Sequence, residues 1–236
     1  CVELSEKSDS FSLFCGEMKD VWQIENGGYV PTEDEIGKIL ENLRTSSLTI
    51  DDNRISLENG RLDLGALGKG TACDEAMELI KRSKVGNALI TVGGTVGMIG
   101  SPDGENSFSI GVRDPFGTQN DYFAVLEVTD CFISTSGDYE KYFENNGVRY
   151  SHIFDATTGK PVHNDISSVT VIAESGMLSD FLSTLTYIEG IEKGVETAQD
   201  FDAHLIIVKK DKSVLVSKSL QDDFTLKDNS FTVSVI

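Results

Sequence analysis

At 236 residues the chain is long enough for one large domain or two small ones with a full core. Its 39 acidic against 20 basic residues leave a net charge of −19, a surface that repels nucleic acid and anionic membrane and so argues against direct binding to either. No run approaches the ~20 apolar residues of a membrane span, no signal peptide is present, and four scattered cysteines (Cys1, Cys15, Cys73, Cys131) with no CxxC pair read as free thiols.

In chain order, Val2 to Lys7 reads as a helix end, followed by a glycine-interrupted segment carrying Phe11, Phe14, Val21 and a core Trp22. Thr32-Glu-Asp-Glu35 is a capping box opening an amphipathic helix to about Arg44, with Ile36, Ile39, Leu40 and Leu43 on one face. Short strands are predicted near Leu48–Ile50, Arg54–Leu57 and Arg61–Leu64. The next helix starts after Gly70, and Asn87–Val92 is a strand that Val96–Ile99 continues beyond Gly93-Gly94. Ser107–Val112 and Phe123–Val128 alternate as antiparallel strands around the turn Asp114-Pro-Phe-Gly117. A hairpin turns at Asn145-Asn-Gly147, a β-branched strand covers Ser168–Ala173, and helices lie near Leu178–Ile188 and Ile191–Asp200. The chain closes on strands at His204–Val208, Val214–Val216 and Phe231–Val235. Helices and mostly antiparallel strands interleave without βαβ spacing, which predicts an α+β fold with mixed sheets and packed helices.

The stretch Arg61 to Ile80 carries the strongest chemical signal. A strand that turns through Gly65, Gly68 and Gly70 into a helix aims backbone N–H groups and the positive helix end at one spot, which favours phosphate. Asp63 and Lys69 add one charge of each sign. Glycines that let a helix pack closely explain the same stretch. Neither the Walker A spacing nor G-x-G-x-x-G is present. Elsewhere, Asp180 and Thr184 share a helix face, two hard oxygens suited to magnesium or calcium, or a carboxylate that simply stabilises a helix start. Ser134-Thr-Ser-Gly-Asp-Tyr139 could line a phosphate or ribose or be a polar turn. His152, three residues before Asp155, is a base, a ligand contact or a structural histidine. Gly93-Gly94 permits close approach of a ligand or another backbone.

Taken in order, these pieces resemble the ApbE family of FAD:protein FMN transferases. The resemblance rests on Leu62-Asp-Leu-Gly-Ala-Leu-Gly-Lys-Gly70 with Asp74, Ile90-Thr-Val-Gly-Gly-Thr95 and Ser134-Thr-Ser-Gly-Asp-Tyr-Glu-Lys-Tyr142. It continues through His152-Ile-Phe-Asp-Ala-Thr-Thr-Gly-Lys-Pro161, Ser168-Val-Thr-Val-Ile-Ala173 and Ser179-Asp-Phe-Leu-Ser-Thr184. It implies an ApbE-like fold over residues 1–236 and FAD as substrate. It also implies Mg²⁺ held by Asp180, Thr184 and the carbonyl of Ala66, with Ser183 at a further ligand position that is often acidic. Asp63 and Lys69 fall at flavin-nucleotide contact positions, as does Phe154 through its backbone, and Ser10-Phe11-Ser12 resembles the family's early nucleotide-binding motif.

By the same resemblance, His152 is the base, or orients the acceptor, as a threonine hydroxyl attacks the FMN-side phosphorus and AMP departs. The acceptor is a serine or threonine in a short motif of a flavoprotein subunit. The location implied is the extracytoplasmic face of the cell membrane, through a lipoprotein anchor not present in this chain. Three features depart from the family pattern: its front portion is absent before Cys1, its Phe-Asp reads Phe11-Ser12, and its Gly-Gly-Asn reads Gly93-Gly94-Thr95. These leave two alternatives in view, an FAD-binding or FAD-hydrolysing member and a non-catalytic scaffold.

Overall fold

The computed structural model describes residues 2–236; Cys1, with its expected free thiol, lies outside them. In chain order the elements are α1 (Val2–Ser5), α2 (Gly16–Trp22), α3 (Glu33–Thr45), β1 (Ser47–Asp51), β2 (Arg54–Glu58), α4 (Gly68–Arg82), β3 (Ala88–Val92), β4 (Thr95–Ile99), β5 (Phe108–Arg113), β6 (Tyr122–Val128) and β7 (Phe132–Gly137). There follow β8 (Tyr142–Asn145), β9 (Val148–Ser151), β10 (Phe154–Asp155), β11 (Lys160–Pro161), β12 (Ile166–Ala173), α5 (Gly176–Glu189), α6 (Ile191–Asp200), β13 (His204–Lys209), β14 (Ser213–Val216), β15 (Phe224–Leu226) and β16 (Thr232–Val235). They form two compact units, one of the chain up to Leu64 together with Asp138–His163, the other of Gly65–Gly137 and Asn164–Ile236.

In the smaller unit, α3 begins where the capping box predicts. Thr32 Oγ1 accepts the Glu35 N–H at 3.3 Å, and Glu35 Oε2 accepts the Thr32 N–H at 2.8 Å. Its buried Ile36 and Ile39 meet Met18, Trp22 and Phe154. Trp22 is core, as expected, and its indole N–H donates to the Gly159 carbonyl at 3.0 Å. The glycine-interrupted segment before it is the helix α2, which sequence reading left unassigned. Gly16 starts it because a Cβ there would lie 2.7 Å from the Arg61 carbonyl. That approach replaces the expected strand at Arg61–Leu64: the segment makes a single parallel bridge to Cys15, with Gly16 N–H donating to Arg61 O and Asp63 N–H to Leu13 O. The hairpin β8–β9 turns at Asn146-Gly147, both at positive φ, the geometry that favours this pair of residues.

The larger unit is built on a seven-stranded sheet, β16-β14-β13-β12-β7-β4-β3, antiparallel except for β14–β16. A three-stranded sheet, β15-β6-β5, shares its core, with Phe123 and Leu126 packed against Ile206, Val214 and Phe231. β12 is buried along its whole length, as a central strand with many β-branched residues should be. The run Val96–Ile99 does not extend β3. It folds back as β4, pairing Val92 with Thr95 through Gly93 and Gly94, both at positive φ. The short strands β10, β11 and β15 escaped sequence reading because two or three residues carry no periodicity. The α+β class with mostly antiparallel pairing is as expected.

Candidate active site

The strongest cluster lies in the larger unit, where the N-termini of α4 and α5 meet. Gly70 and Gly176 touch through their backbones: a Cβ on Gly70 would sit 2.0 Å from the Gly176 carbonyl oxygen. Each helix start is then capped by a carboxylate of the other. Asp180, fully buried on α5, accepts the Gly70 N–H at 3.1 Å, and Asp74 of α4 accepts the Gly176 and Met177 N–H groups at 2.6 and 2.8 Å. Negative charge at two positive helix ends explains how a buried carboxylate persists there. Lys69 completes the neutralisation, its ammonium 2.7 Å from Asp180 Oδ1 and 2.8 Å from the Gly65 carbonyl. Gly93 makes room for the lysine stem, whose Cδ would lie 3.0 Å from a Cβ at that position. The glycine bend and the late aspartate therefore converge, although one N–H suited to phosphate is taken by Asp180.

Hydroxyls line the helix behind this carboxylate. Thr95, Ser134 and Ser179 form a buried ladder at 2.9 and 2.8 Å. Ser136 meets Ser183 at 2.8 Å and Thr184 at 3.0 Å. The run Ser134-Thr-Ser is thus part of β7, with Ser134 and Ser136 facing α5 and Thr135 turned to Thr170. Ala66 lies in the turn ahead of α4, partly buried. No group of three or more His, Cys, Asp or Glu suited to a metal occurs among the described residues. A cation at Asp180 would find one carboxylate, hydroxyls and carbonyls, a hard-oxygen set that fits magnesium completed by substrate phosphate and water, and not zinc.

In the smaller unit a cavity of about 370 Å³ is lined by Gly16, Lys19, Asp20, Arg61, Asp63 and His152, among others. Lys19 pairs with Asp63 at 2.5 Å, Arg61 with Asp20, and Lys141 with Glu25 at 2.9 Å. The backbone N–H of His152 donates to the Lys141 carbonyl at 3.0 Å, and its Nδ1 lies 3.3 Å from the same oxygen. A carbonyl only accepts, so Nδ1 carries the proton and Nε2 keeps its lone pair. Burial first, then the Lys19 charge, pushes the imidazole pKa down to about 4. Of the residues singled out in this unit, the cavity brings together Asp63 and His152. Ser10, Phe11, Ser12 and Phe154 are not among its lining residues. Phe11 and Phe154 are buried, and Ser10 O accepts the Ala156 N–H at 2.9 Å.

Sequence reading missed Lys19 as a lining residue, and held Arg61 and Ser136 only as members of candidate stretches with no role of their own. Lys19 and Arg61 are spaced like any surface charges. Ser136 could have been found from the period of two across Ser134-Thr-Ser, once that run is read as a strand.

Fold and cluster together describe an α+β protein with a carboxylate–hydroxyl site at paired helix starts, and comparison with known proteins assigns it. The ApbE family model matches residues 1–207, and the chain belongs to that family. It is 31% identical over 235 residues to the FAD:protein FMN transferase of Klebsiella pneumoniae, covering 96% of this chain and 72% of that protein. The protein of the same name from Treponema pallidum is 34% identical, over 73% of this chain and 50% of that one. The crystal structure of the ApbE protein from Thermotoga maritima aligns with a TM-score of 0.82 at 30% identity, covering 94% of this chain and 74% of the other. The chain thus spans between half and three quarters of these three proteins' lengths.

Proposed function

We propose that this chain transfers FMN from FAD to a serine or threonine hydroxyl of an acceptor flavoprotein subunit, releasing AMP, with Mg²⁺ required. The observation that carries the reading is the bond of buried Asp180 to Gly70 and Lys69, which ties the glycine bend to the helix bearing Thr184. The names of the relatives support the donor and the protein acceptor. Asp180, Thr184 and the Ala66 carbonyl would hold the cation, with Ser183 at a further position. Bound there, magnesium would neutralise charge on the diphosphate oxygens.

Lys69, 2.7 Å from Asp180, keeps that carboxylate charge-balanced and ready to exchange one cation for another. Asp63 and Lys69 contact the nucleotide, with Ser10, Phe11, Ser12 and the Phe154 backbone as further contacts. His152, neutral because its pKa lies near 4, takes the acceptor's hydroxyl proton on Nε2. The hydroxyl oxygen bonds to the FMN-side phosphorus, the bond from that phosphorus to the AMP oxygen breaks, and the imidazolium returns its proton to solvent. We infer an extracytoplasmic working site tethered by a lipoprotein anchor outside this chain, on the family resemblance alone. Among the described residues no helix is long and apolar enough to cross a membrane.

The test is incubation of the folded chain with FAD, Mg²⁺ and a purified acceptor domain, read by intact mass. A flavin-nucleotide adduct on the acceptor that disappears with EDTA supports the proposal. AMP release without acceptor modification points to hydrolysis, and neither product with a folded protein overturns catalysis by this chain.

A further inference from the structure

We propose that Ser136 is a positioning residue for the cation ligand Thr184: by accepting the threonine's hydroxyl proton it leaves the lone pairs of Thr184 Oγ1 free for a hard divalent cation. The inference deepens the flavin-transfer reading and rests on it. Three hydroxyls and one carbonyl meet here. Ser136 Oγ lies 2.8 Å from Ser183 Oγ and 3.0 Å from Thr184 Oγ1. The Asp180 carbonyl oxygen lies 2.9 Å from Ser183 Oγ and 3.3 Å from Thr184 Oγ1.

Proton counting leaves two closed networks, and the contact lengths choose between them, because the reverse order would rest on the 3.3 Å contact of Thr184 to the Asp180 carbonyl where this one uses the 2.9 Å contact of Ser183. Each hydroxyl has one proton to give, and a carbonyl has none. Ser183 is completely buried, and its short contact to the Asp180 carbonyl takes its proton. At the 2.8 Å contact Ser183 must then be the acceptor, which spends the proton of Ser136. Towards Thr184, Ser136 can only accept, and at 3.0 Å it is the closer of the two acceptors that threonine touches. Thr184 is left with its donor satisfied and its lone pairs unspent. A neutral hydroxyl that ligates a cation needs that state, since it binds through a lone pair and must place its proton elsewhere. A partner behind a ligand, fixing its orientation in this way, is a common feature of metal sites. Strand alternation makes the arrangement specific: Thr135, next in sequence, bonds Thr170 instead.

The experiment follows FAD binding to the whole chain by flavin fluorescence as Mg²⁺ is titrated, without acceptor, so that turnover plays no part. Wild type, Ser136→Ala, Ser136→Thr and Thr135→Val are compared, with thermal unfolding of each. Ser136→Ala is expected to raise the Mg²⁺ midpoint by about tenfold or more. Ser136→Thr, which keeps the hydroxyl, should restore it, whereas Thr135→Val, which removes a hydroxyl bond on the other face of the strand, should not shift it. A Ser136→Ala midpoint within about twofold of a magnesium-dependent wild type overturns the role of Ser136 and leaves the reaction untouched. Should Ser136→Ala fail to fold, a Ser136→Thr midpoint shifted as far as tenfold overturns the proposal in its place. Wild-type binding of FAD without any response to Mg²⁺ overturns the metal reading itself, and is seen before any substitution is made.

Discussion

The cluster at the starts of α4 and α5 and the cavity around His152 solve the same electrostatic problem by opposite means. In the first, a carboxylate with 1% exposure is held by one N–H and one ammonium, at two helix ends that touch through glycines. In the second, charges sit at the surface in pairs, with 33% exposure for Lys19, 65% for Arg61 and 51% for Asp20. Packing sets the geometry of the first, and it cannot give without cost. The second is assembled from long side chains in contact with water, whose pairing is weak and screened by salt. On the proposed function the contrast has a use: a cation site would need fixed oxygens, whereas a cavity that has to admit a nucleotide and a protein side chain would gain from groups that can rearrange.

The largest break in this comparison is expected at His152. The variant His152→Asn should lose on the order of 10²- to 10⁴-fold in transfer rate while keeping magnesium-linked FAD binding, a split read by single-turnover mass spectrometry beside flavin fluorescence. Its imidazole also has a pH signature. With the folded pKa lowered to about 4 against an ordinary value of 6.5, the unfolded chain binds the extra proton between those limits. The contribution to stability is therefore complete above pH 6.5 and lost as pH falls through 4. Urea unfolding of the wild type should weaken over that window relative to His152→Asn, and the transfer rate should show no ionisation near pH 6.5.

Next in size is Gly70→Ala. Its Cβ would meet the Gly176 carbonyl at 2.0 Å and force the two helix starts apart, at an expected cost of about 1–3 kcal/mol in denaturant unfolding together with weaker magnesium binding. Full stability in this variant would refute the rigidity assigned to the helix pair. The smallest effect belongs to Lys19→Met. Losing one partner of a half-exposed pair should change stability by about 0.2–1 kcal/mol, less at high salt, while removing a positive neighbour should raise the His152 pKa, measured by NMR titration.

Motif order along the chain was enough to indicate the ApbE family, now shown by the family match, and local chemistry was enough to mark α3, β12, α5 and α6. These elements carry their own signals: a capping box, β-branched runs, and apolar residues at helical spacing. The meeting of Asp180 with the glycine bend was implied only by the family resemblance, through the ligand set of Asp180, Thr184 and the Ala66 carbonyl; local patterns mark each group but not their pairing. Other features were not legible in the sequence. Gly93-Gly94 reads equally as an interruption within a strand or as a turn, and only the backbone distinguishes the β3–β4 hairpin. Arg61–Leu64 alternates like a strand, yet what it meets is the start of α2, so its pairing stops at one bridge.

What the sequence by itself determined is the set of elements and chemical groups: which segments coil or extend, which faces are apolar, and that a carboxylate and a hydroxyl at helical spacing and a histidine are present. Periodicity and capping act within a few residues, so they survive in one dimension. Only the tertiary structure decided partners. Asp74 caps a helix 102 residues away, Ser136 bonds a threonine 48 residues on, and Lys19 shares a cavity with His152. Those pairings follow from three-dimensional packing, which distance along the chain does not encode.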